Sequence, residues 1–274
     1  MLKISLDYKD TVPLECERLR PDTLATLTPF DIQNIPCWKG NKIVALGDLA
    51  RIEGDSSDGH LLLEGDWSRV KRIGQAMESG RLEIDGPAGM HAGSGMKGGH
   101  LLIRGDAGDW TAAEMKGGFL EIEGNAGHGL GAGYAGARSG MRGGQILIRG
   151  NAGNELGSLM RRGLIVVTGS AGDFAGLGMI AGSLVLLGGC GIRPGAAMKR
   201  GSIVCGQAPA SILPSFSEPV QDRPLWLELL RKDLALLGLR APFAHLPVTR
   251  HWNISRGDRV ALGLGELLWP VRPL

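Results

Sequence analysis

The sequence predicts an all-β fold, a parallel β-helix of about nine coils of about 19 residues, and three observations lead to this prediction. Short apolar segments that end in glycine recur at that spacing, which indicates a stacked repeat architecture. The residues two and four places before the glycine are apolar in seven consecutive repeats, as on one face of a strand. Glycine accounts for 45 of the 274 residues, and such coils need it at their tight corners.

The clearest repeats share the pattern Gly-Gly-x-apolar-x-apolar-x-Gly-x-Ala-Gly and span residues 98–108, 117–127 and 143–153. The glycines that end the predicted strands are Gly47, Gly65, Gly86, Gly105, Gly124, Gly150, Gly169, Gly188 and Gly206. Their spacings are 18, 21, 19, 19, 26, 19, 19 and 18 residues. A solenoid built of helices is excluded, because it would need an apolar period of 3.6 and far fewer glycines.

Two further columns of residues share this register. The apolar pairs, which we expect in the core, are Leu61/Leu63, Leu82/Ile84, Leu101/Ile103, Leu120/Ile122, Ile146/Ile148, Ile165/Val167 and Leu184/Leu186. One methionine per repeat lies eight or nine residues before the glycine, and these are Met77, Met96, Met115, Met141, Met160, Met179 and Met198. Since no cysteine or histidine column accompanies the methionines, we interpret them as an internal stack of flexible apolar side chains rather than a metal site.

The chain divides into three predicted segments. Residues 1–40 form an N-terminal cap with a strand and one or two short helices, and residues 41–207 form the repeat domain, whose first coil at 41–48 is atypical. Residues 208–274 hold a linker, a helix over 224–238, a short strand near 260–264 and a tail that we expect to dock on another surface. The predicted apolar face of the helix consists of Leu225, Leu229, Leu230, Leu234 and Leu237.

The composition and the sequence limit the cellular compartment and the kinds of partner that we expect for the protein. The net charge is +2, so nothing in it requires nucleic acid or a membrane surface as a partner. The four cysteines form no C-x-x-C pair, which is typical of a reducing compartment. The first residues lack the apolar core of a signal peptide, and no segment is apolar enough to span a bilayer. We therefore expect a cytoplasmic protein.

No constellation of catalytic residues is evident. The six histidines have no metal-ligand spacing, and there is no P-loop or G-x-S-x-G motif. Two G-x-G-x-x-G matches, at 93–98 and 131–136, lack the surrounding βαβ unit that a dinucleotide site needs. The column before the repeat glycines mixes acids with bases and suits a structural ladder: Glu64, Asp85, Arg104, Glu123 and Arg149. We expect no catalytic residue, no metal and no cofactor bound by this chain alone.

Two sets of residues are candidates for binding partners. The first is a cationic column, in which a positive residue follows the repeat methionine: Lys97, Lys116, Arg142, Arg161 and Lys199. It either binds an anion or an acidic partner, or consists of solvated side chains paired with acids of other turns. The second is the apolar strip, a set of outward positions that either the C-terminal tail or another subunit must cover: Leu164, Val166, Val185 and Leu187.

One repeat is seven residues longer than the 19-residue repeats, and its insert lies within residues 128–140. Departures from a repeat are often functional, although a plain bulge is the simpler explanation. Tyr134 and Arg138 of this insert are therefore further candidates for partner contacts.

The sequence resembles a known family at the entry to the repeats. The segment 31–48 contains Gly-Asn-Lys-Ile-Val-Ala-Leu-Gly-Asp, is followed by Arg-Ile-Glu-Gly at 51–54, and leads into the Gly-Gly repeats. This pattern is similar to the C subunit of formylmethanofuran dehydrogenase, although Leu49 and Ala50 stand where aromatic residues often occur. The match extends over about residues 20–206, and its repeats are shared with the C-terminal domain of the glutamate synthase large subunit.

The resemblance implies a non-catalytic β-helical scaffold subunit of a cytoplasmic one-carbon complex. In methylotrophic bacteria the formyltransferase/hydrolase complex moves a formyl group from tetrahydromethanopterin to a methanofuran-type carrier and releases formate. The implied partners are formyltransferase and amidohydrolase-like subunits. Alternatives are the C subunit of an archaeal-type formylmethanofuran dehydrogenase, a glutamate-synthase-like β-helix domain, and a stand-alone β-helix binding protein. Arginine outnumbers lysine 21 to 9, which favours the bacterial complex.

Overall fold

The structure is a computed structural model that describes residues 1–236 and 251–271, and the fold in these residues is mainly β. The N-terminal part contains β1 (Leu2–Leu6), β2 (Leu14–Glu15), α1 (Pro21–Leu24), α2 (Pro29–Gln33), β3 (Pro36–Lys39), β4 (Lys42–Ala45) and β5 (Ala50–Gly54). A short 3₁₀ turn over Leu46–Asp48 separates β4 from β5. Helix α2 begins where Thr28 and Asp31 exchange side-chain and backbone hydrogen bonds, which satisfies the first free N–H groups of the helix.

The repeats each contribute one strand, and a short additional strand lies within the first of them. These strands are β6 (His60–Glu64), β7 (Val70–Lys71), β8 (Arg81–Asp85), β9 (His100–Ile103), β10 (Phe119–Ile122), β11 (Arg142–Ile148), β12 (Arg162–Val167), β13 (Ser183–Leu186) and β14 (Arg200–Cys205). The C-terminal part adds β15 (Val220–Asp222), α3 (Trp226–Leu236), β16 (Trp252–Gly257) and β17 (Leu264–Pro270).

Most strands join one sheet of 13 strands in the order β15-β16-β17-β14-β13-β12-β11-β10-β9-β8-β6-β1-β5. From β6 to β14 all neighbours are parallel, and equivalent residues of successive repeats are paired, as in Leu101 with Leu120 and Leu120 with Ile146. A second line of contacts joins the same repeats through isolated parallel bridges that run from Trp67 through the repeat alanines to Cys190. A four-stranded sheet, β4-β3-β2-β7, lies in the N-terminal part.

The observed register corrects the last repeat. Leu184 pairs with Ile203 and Leu186 pairs with Cys205, so each partner lies 19 residues further along the chain. The residue equivalent to Gly188 is therefore Gln207, and the assignment of Gly206 to this position was wrong by one residue. The sequence was misleading here because Gly206 is a glycine for another reason: a β-carbon on it would collide with the Leu187 carbonyl group.

The predicted strand face is confirmed, since every residue of the seven apolar pairs is buried. The seven repeat methionines are fully buried as well. The methyl group of each packs against a glycine of the following repeat, as Met96 packs against Gly118 and Met160 against Gly182. Because a β-carbon on these glycines would crowd the methyl group, the methionine and glycine columns depend on each other.

The N-terminal end of the stack differs from the expectation. Gly47, predicted to end the first repeat strand, lies in the 3₁₀ turn, and β4 pairs with β3 in the smaller sheet. The position beside β6 is occupied by β1, whose Leu2 and Ile4 pair with Leu61 and Leu63. The sequence pattern predicted the first repeat strand at residues 41–48 because their spacing fits the repeat. The pairing of β1 with β6 could not be predicted in this way, because β1 is not part of the periodic pattern.

The N-terminal segment also supplies the backbone partners that a preceding repeat would supply. Gly74 donates its N–H to the Leu19 carbonyl, in the way that Gly93 donates to the Ile73 carbonyl of the repeat before it. The Arg20 guanidinium donates to the carbonyl oxygens of residues 75 and 76, at 3.2 and 3.0 Å. These contacts satisfy backbone groups of the first repeat that a preceding repeat would otherwise pair, and β5 becomes the edge strand of the sheet.

The C-terminal tail closes the opposite end in a comparable way. Strand β17 runs parallel to β14, and its Gly265 packs against Met198 as the repeat glycines pack against the preceding methionines. Asp258 donates its N–H to the Met198 carbonyl, and its carboxylate accepts the Ala197 N–H at 3.0 Å. The ring of Phe216 fills the end of the core next to Gly195 and Gly257. The strand predicted near residues 260–264 is wrong in position, since these residues mainly form the turn before β17.

We expect Gly118→Ala to destabilise the protein more than Gly95→Ala. Both residues have a positive φ, which costs a non-glycine residue about 1 kcal/mol or more. A β-carbon on Gly118 would lie 2.8 Å from both the Gly99 carbonyl oxygen and the Met96 methyl group, whereas one on Gly95 meets no atom within 4 Å. The crowding should lower the free energy of unfolding by about 2 kcal/mol beyond the effect at Gly95. Equilibrium urea unfolding measures both values, and equal losses would contradict the close packing of Gly118 against the preceding repeat.

Candidate functional site

The cationic column predicted from the sequence lies along one edge of the repeats, and all five side chains are exposed. The backbone N–H of Lys97, Lys116 and Arg142 donates to the carbonyl of the methionine in the preceding repeat, and Arg161 and Lys199 repeat this bond. The backbones of neighbouring members therefore lie about one strand spacing apart, roughly 4.8 Å. Ile180 interrupts the column between Arg161 and Lys199.

Most of these cations have no acidic partner. Lys97 pairs with Glu78 at 2.5 Å, but in residues 1–236 and 251–271 no carboxylate lies within 4.0 Å of the other four side chains. Arg162 and Arg200 begin their strands directly beside Arg161 and Lys199, are exposed, and also lack such a partner in these ranges. We call the six side chains Lys116, Arg142, Arg161, Arg162, Lys199 and Arg200 the cationic strip. The sequence showed the doubled cations at 161–162 and 199–200, and the strand pairing places Arg162 beside Arg142 of the preceding repeat.

The charges on the outer face of the large sheet behave differently, because they neutralise each other. Glu83 is nearly buried and lies within 3.3 Å of side-chain nitrogens of His60, Arg81 and Arg104. Burial alone would raise the pKa of Glu83, but hydrogen bonding to Arg81 and the surrounding positive charge lower it overall. Arg104 also reaches Glu123 at 3.4 Å, as the mixed column of charges predicted. The cationic strip thus differs from this face of the sheet, where the charges around Glu83 are paired.

The apolar strip is not exposed, since the protein's own C-terminal part covers it. Val166 and Val185 are buried, and Leu164 and Leu187 are partly buried. They pack in one cluster with the residues of α3 that face the sheet and with side chains of β16 and β17: Leu227, Leu230, Leu234, Trp252, Ile254 and Leu268. Of the two possible covers, the structure therefore shows the tail rather than another subunit.

The face of α3 corrects the sequence prediction. The helix spans Trp226–Leu236, and its buried side consists of the leucines at 227, 230 and 234. Leu225 and Leu229, which were assigned to the same face as Leu230, are exposed. Leu237 and Gly238 lie outside the described residues. The predicted face was wrong because a helix this rich in leucine offers several apolar stripes, and only the sheet beneath it decides which one is buried.

The insert of the longest repeat folds back over the two repeats before it. Tyr134 stacks on Trp110 with ring centres 5.3 Å apart, and its hydroxyl group lies 2.9 Å from Nδ1 of His91. The Trp110 ring covers the backbone of Gly129, where a β-carbon would be 3.2 Å from the ring. Arg138 is exposed, with no carboxylate within 4.0 Å among the residues described. Tyr134 is thus partly engaged within the chain, and Arg138 remains available to a partner.

The environment of this cluster favours the neutral forms of its titratable groups. Burial lowers the pKa of His91, and the positive charges of Arg72 and Lys71 lower it further. Burial raises the pKa of the Tyr134 hydroxyl group. A neutral imidazole bonded to a neutral phenol provides a hydrogen bond without charge, which suits a structural contact. The sequence indicated that Tyr134 was unusual only through the length of the repeat.

Sequence reasoning missed two polar ladders that join the repeats. Asp106 Oδ1 accepts the N–H of Asn125, whose own Oδ1 accepts the N–H of Asn151. A parallel series begins where Asp109 Oδ1 accepts the N–H of His128 and continues through residues 154, 173 and 192. The signal was present as a polar residue on each side of the Ala-Gly pair in several repeats. Its meaning depends on the spacing between repeats, which only the structure provides.

The described residues contain no group of three or more His, Cys, Asp and Glu side chains that could hold a metal ion. Their four cysteines are free, and the sulfur atoms of Cys190 and Cys205 lie 3.7 Å apart. The neighbouring Cys190 thiol and burial raise the pKa of Cys205 well above its usual value, so this thiol is unreactive at neutral pH. In the ranges 1–236 and 251–271, no helix combines the length and the apolar character needed to cross a membrane.

Comparisons with known proteins place the chain among components of one-carbon enzymes. No protein-family model matches it. It is 38% identical over 84 residues to the C subunit of the tungsten-containing formylmethanofuran dehydrogenase 2 of Methanothermobacter marburgensis, covering 29% of this chain and 31% of that protein. The C subunit of the molybdenum-containing formylmethanofuran dehydrogenase 1 of Methanosarcina barkeri is 39% identical over 84 residues, 29% of this chain and 28% of that protein. The aligned segments thus span about a third of these curated relatives.

A solved structure matches over almost the whole length. It is a chain in the crystal structure of the formyltransferase/hydrolase complex (FhcABCD) from Methylorubrum extorquens in complex with methylofuran. The TM-score is 0.91 and the sequence identity 30%, and the alignment covers 98% of this chain and 100% of that chain. The similarity therefore includes the C-terminal part, for which the sequence offered no motif.

We expect Leu234→Ser to increase the binding of a hydrophobic dye, because Leu234 is fully buried where α3 packs on Val166 and Val185. The matched control is Leu229→Ser in the same helix, since Leu229 is 63% exposed and its replacement leaves the cluster intact. Dye fluorescence and thermal unfolding of the two purified variants measure the effect. Equal dye binding by both variants would mean that α3 does not cover the apolar strip.

Proposed function

Because the chain belongs to the family of the formylmethanofuran dehydrogenase C subunits, we propose that it is a non-catalytic structural subunit of a multi-subunit one-carbon complex. The observation that carries this proposal is the similarity over 98% of the chain to a chain of the formyltransferase/hydrolase complex. The strand pairing that continues through the repeats gives the chain one large sheet, and we propose that other subunits assemble on the surface that it supports.

At the level of the fold, we propose that the repeats are the coils of a parallel β-helix. The parallel pairing of equivalent strands and the second line of parallel bridges support this proposal. The proposed division of the chain is an N-terminal cap over residues 1–40, a repeat domain over 41–207 and a linker, helix and docking tail over 208–274. Strand β1 belongs to the proposed cap by its position in the sequence, but it pairs with β6 in the sheet of the repeats. The cap and the repeat domain therefore share one sheet.

We further propose that the complex is cytoplasmic and transfers a formyl group from tetrahydromethanopterin to a methanofuran-type carrier, with release of formate. The partners would be formyltransferase and amidohydrolase-like subunits. The support is the solved complex, which is named for formyltransferase and hydrolase activity and contains methylofuran. The carrier would bind to the assembled complex rather than to this chain alone.

A second candidate function is that of the C subunit in an archaeal-type formylmethanofuran dehydrogenase. The identity to the archaeal proteins is 38–39% over 84 residues, which favours this candidate for the aligned segment. The identity to the bacterial chain is 30%, but it extends over nearly the full length. Since a full-length likeness also constrains the tail, we favour the formyltransferase/hydrolase complex. A glutamate-synthase-like domain or a stand-alone binding protein has no such full-length support.

Isolation of the tagged protein from its native source tests the proposed function. We expect a formyltransferase subunit and an amidohydrolase-like subunit to co-purify in fixed ratios, because a structural subunit remains bound to its partners. Mass spectrometry identifies the partners, and size-exclusion chromatography shows whether they share one particle. Co-purification with a molybdenum- or tungsten-containing subunit instead would favour the archaeal-type enzyme, and a monomer without partners would contradict both candidates.

We also propose that the cationic column, Lys97, Lys116, Arg142, Arg161 and Lys199, receives an anion in the complex, either an acidic partner surface or a carboxylate-rich part of the carrier. Like charges about 4.8 Å apart repel each other by roughly 1 kcal/mol in water, so an unpaired row of them is unfavourable without a ligand. The lack of acidic neighbours around Lys116, Arg142 and Arg161 within the described ranges supports the proposal. Leu164, Leu187 and Tyr134, which are partly buried, and Arg138, which is exposed, remain candidates for partner contacts.

We expect the double variant Lys116→Glu, Arg142→Glu to lose assembly or bound carrier in the reconstituted complex, because it reverses the charge at the centre of the column. High salt should partly mimic the loss in the wild type, since it screens exposed charges. The matched control is Arg18→Glu with Lys42→Glu, two exposed cations of the N-terminal part. Carrier content, subunit ratio and turnover are the measurements, and equal behaviour of the two double variants would show that the column is ordinary solvated surface.

A further inference from the structure

The four cysteines lie in two pairs of neighbouring thiols, and the two pairs differ in their access to solvent. Cys16 and Cys37 lie in the N-terminal part, and both are buried. The neighbouring Cys37 thiol and burial raise the pKa of Cys16. In the last repeats, the sulfur atoms of Cys190 and Cys205 lie 3.7 Å apart, and Cys190 is only partly buried. A soluble reagent can therefore reach the second pair but not the first.

Both cysteines of the second pair replace the residue that is usual at their position in the repeat. Cys190 stands in the line of parallel bridges, where the five preceding repeats have alanine. Cys205 pairs with Leu186 and belongs to the column of buried apolar residues that also contains Val167. The two replacements lie in different columns of neighbouring repeats, and they meet at one point. A bond between them would join β14 covalently to the repeat before it.

The surroundings of this pair give its two members different roles. In residues 1–236 and 251–271 the line of bridges ends at Cys190, whose side chain is more exposed than the alanines before it. Cys205 is fully buried. Exposure is one of the properties that make a cysteine susceptible to oxidation. An oxidant that arrives from solvent therefore meets the Cys190 sulfur first, and Cys205 is in contact with the product.

We propose that Cys190 and Cys205 form a modification site for hydroperoxides, in which Cys190 is oxidised first and Cys205 then converts it into a reversible disulfide. The Cys190 sulfur attacks one peroxide oxygen, the O–O bond breaks, and an alcohol or water leaves as Cys190 becomes a sulfenic acid. The Cys205 sulfur attacks the sulfenic sulfur, the S–S bond forms, and the S–O bond breaks. The departing hydroxyl group takes the Cys205 thiol proton and leaves as water. The two thiols have then transferred two electrons to the peroxide.

The contact between the two sulfur atoms allows Cys205 to take part although it does not react on its own. The Cys190 thiol and burial raise the pKa of Cys205, and the first of these causes disappears when Cys190 is oxidised. Groups that are held in contact also react far faster than the same groups free in solution. The sulfur atoms must approach from 3.7 Å to about 2.05 Å, a shift of about 1.7 Å. Since both thiols are free in the structure, the dithiol is the resting form.

The test treats the reduced, purified full-length chain with hydrogen peroxide, then unfolds it in N-ethylmaleimide and identifies the labelled cysteines by mass spectrometry. We expect the intact chain to become lighter by about 2 Da before labelling, the mass of two hydrogens, with Cys190 linked to Cys205. Dithiothreitol should restore the labelling of both residues. Cys16 and Cys37 should stay labelled throughout, because both are buried, and they serve as the internal control.

Two variants that restore residues of the repeat separate the two roles. In Cys205→Val, which carries the residue found at Val167, Cys190 should accumulate as a sulfenic acid that dimedone traps. In Cys190→Ala, which restores the alanine of the bridge line, Cys205 should remain a free thiol under the same treatment. Unchanged thermal unfolding of the reduced variants confirms their folding.

The opposite outcomes overturn the proposal at different steps. If Cys190 of the wild type proceeds to sulfinic acid without a link to Cys205, the two sulfur atoms do not close the bond. If all four cysteines stay labelled at a peroxide concentration that oxidises glutathione, Cys190 is not reached by the oxidant. If Cys190→Ala still loses the label on Cys205, the assigned order is wrong. None of these results affects the proposed function, which rests on the full-length similarity.

Discussion

The pairing of backbone N–H and C=O groups between successive repeats is the constraint on which the rest of the structure depends. Within the stack each repeat meets the next along a strand, at an isolated bridge and in the turn that contains the buried methionine. At the ends no further repeat exists, and Leu19, Arg20 and Asp258 supply the missing partners. Open backbone groups there would pair with other chains, so the irregular terminal segments are integral to the repeat architecture.

The same constraint decides which side chains each position can hold. Glycine is required where the methionine methyl group of the preceding repeat lies against the backbone, and a short polar side chain is favoured where its oxygen can accept an N–H from the following repeat. The repeat beneath Tyr134 has three non-glycine residues at positive φ, Trp110, Ala112 and Glu114, whereas each of the other described repeats has at most two. Such conformations carry strain of the order of 1 kcal/mol each. The long insert covers this strained repeat, which links two departures from the pattern.

Much of the stack could be predicted from the sequence, because residues that recur at a fixed spacing occupy equivalent environments in successive repeats. The buried apolar pairs and methionines, the strands that carry them and the exposed cationic column could all be read from period and alternation. What has no period could not be read in this way: the insertion of β1 beside β6, the placement of β17 beside β14, and the face of α3 that covers the apolar strip. Arg162 and Arg200 joined the cationic strip only once the starts of their strands were known.

The two terminal strands have a consequence for the order in which the protein folds. Neighbouring repeats meet across only 19 to 26 residues of chain, whereas the contact of Ser5 with Glu64 closes 59 residues and that of Ser202 with Glu266 closes 64. Closing a longer loop costs more entropy, so the middle repeats can associate first and the ends join last. A nascent chain has released β1 long before β6 exists to receive it. Strand β1 can pair with β5 first, but its other edge must remain open until β6 has been synthesised. At the opposite end, β14 must likewise wait for β17.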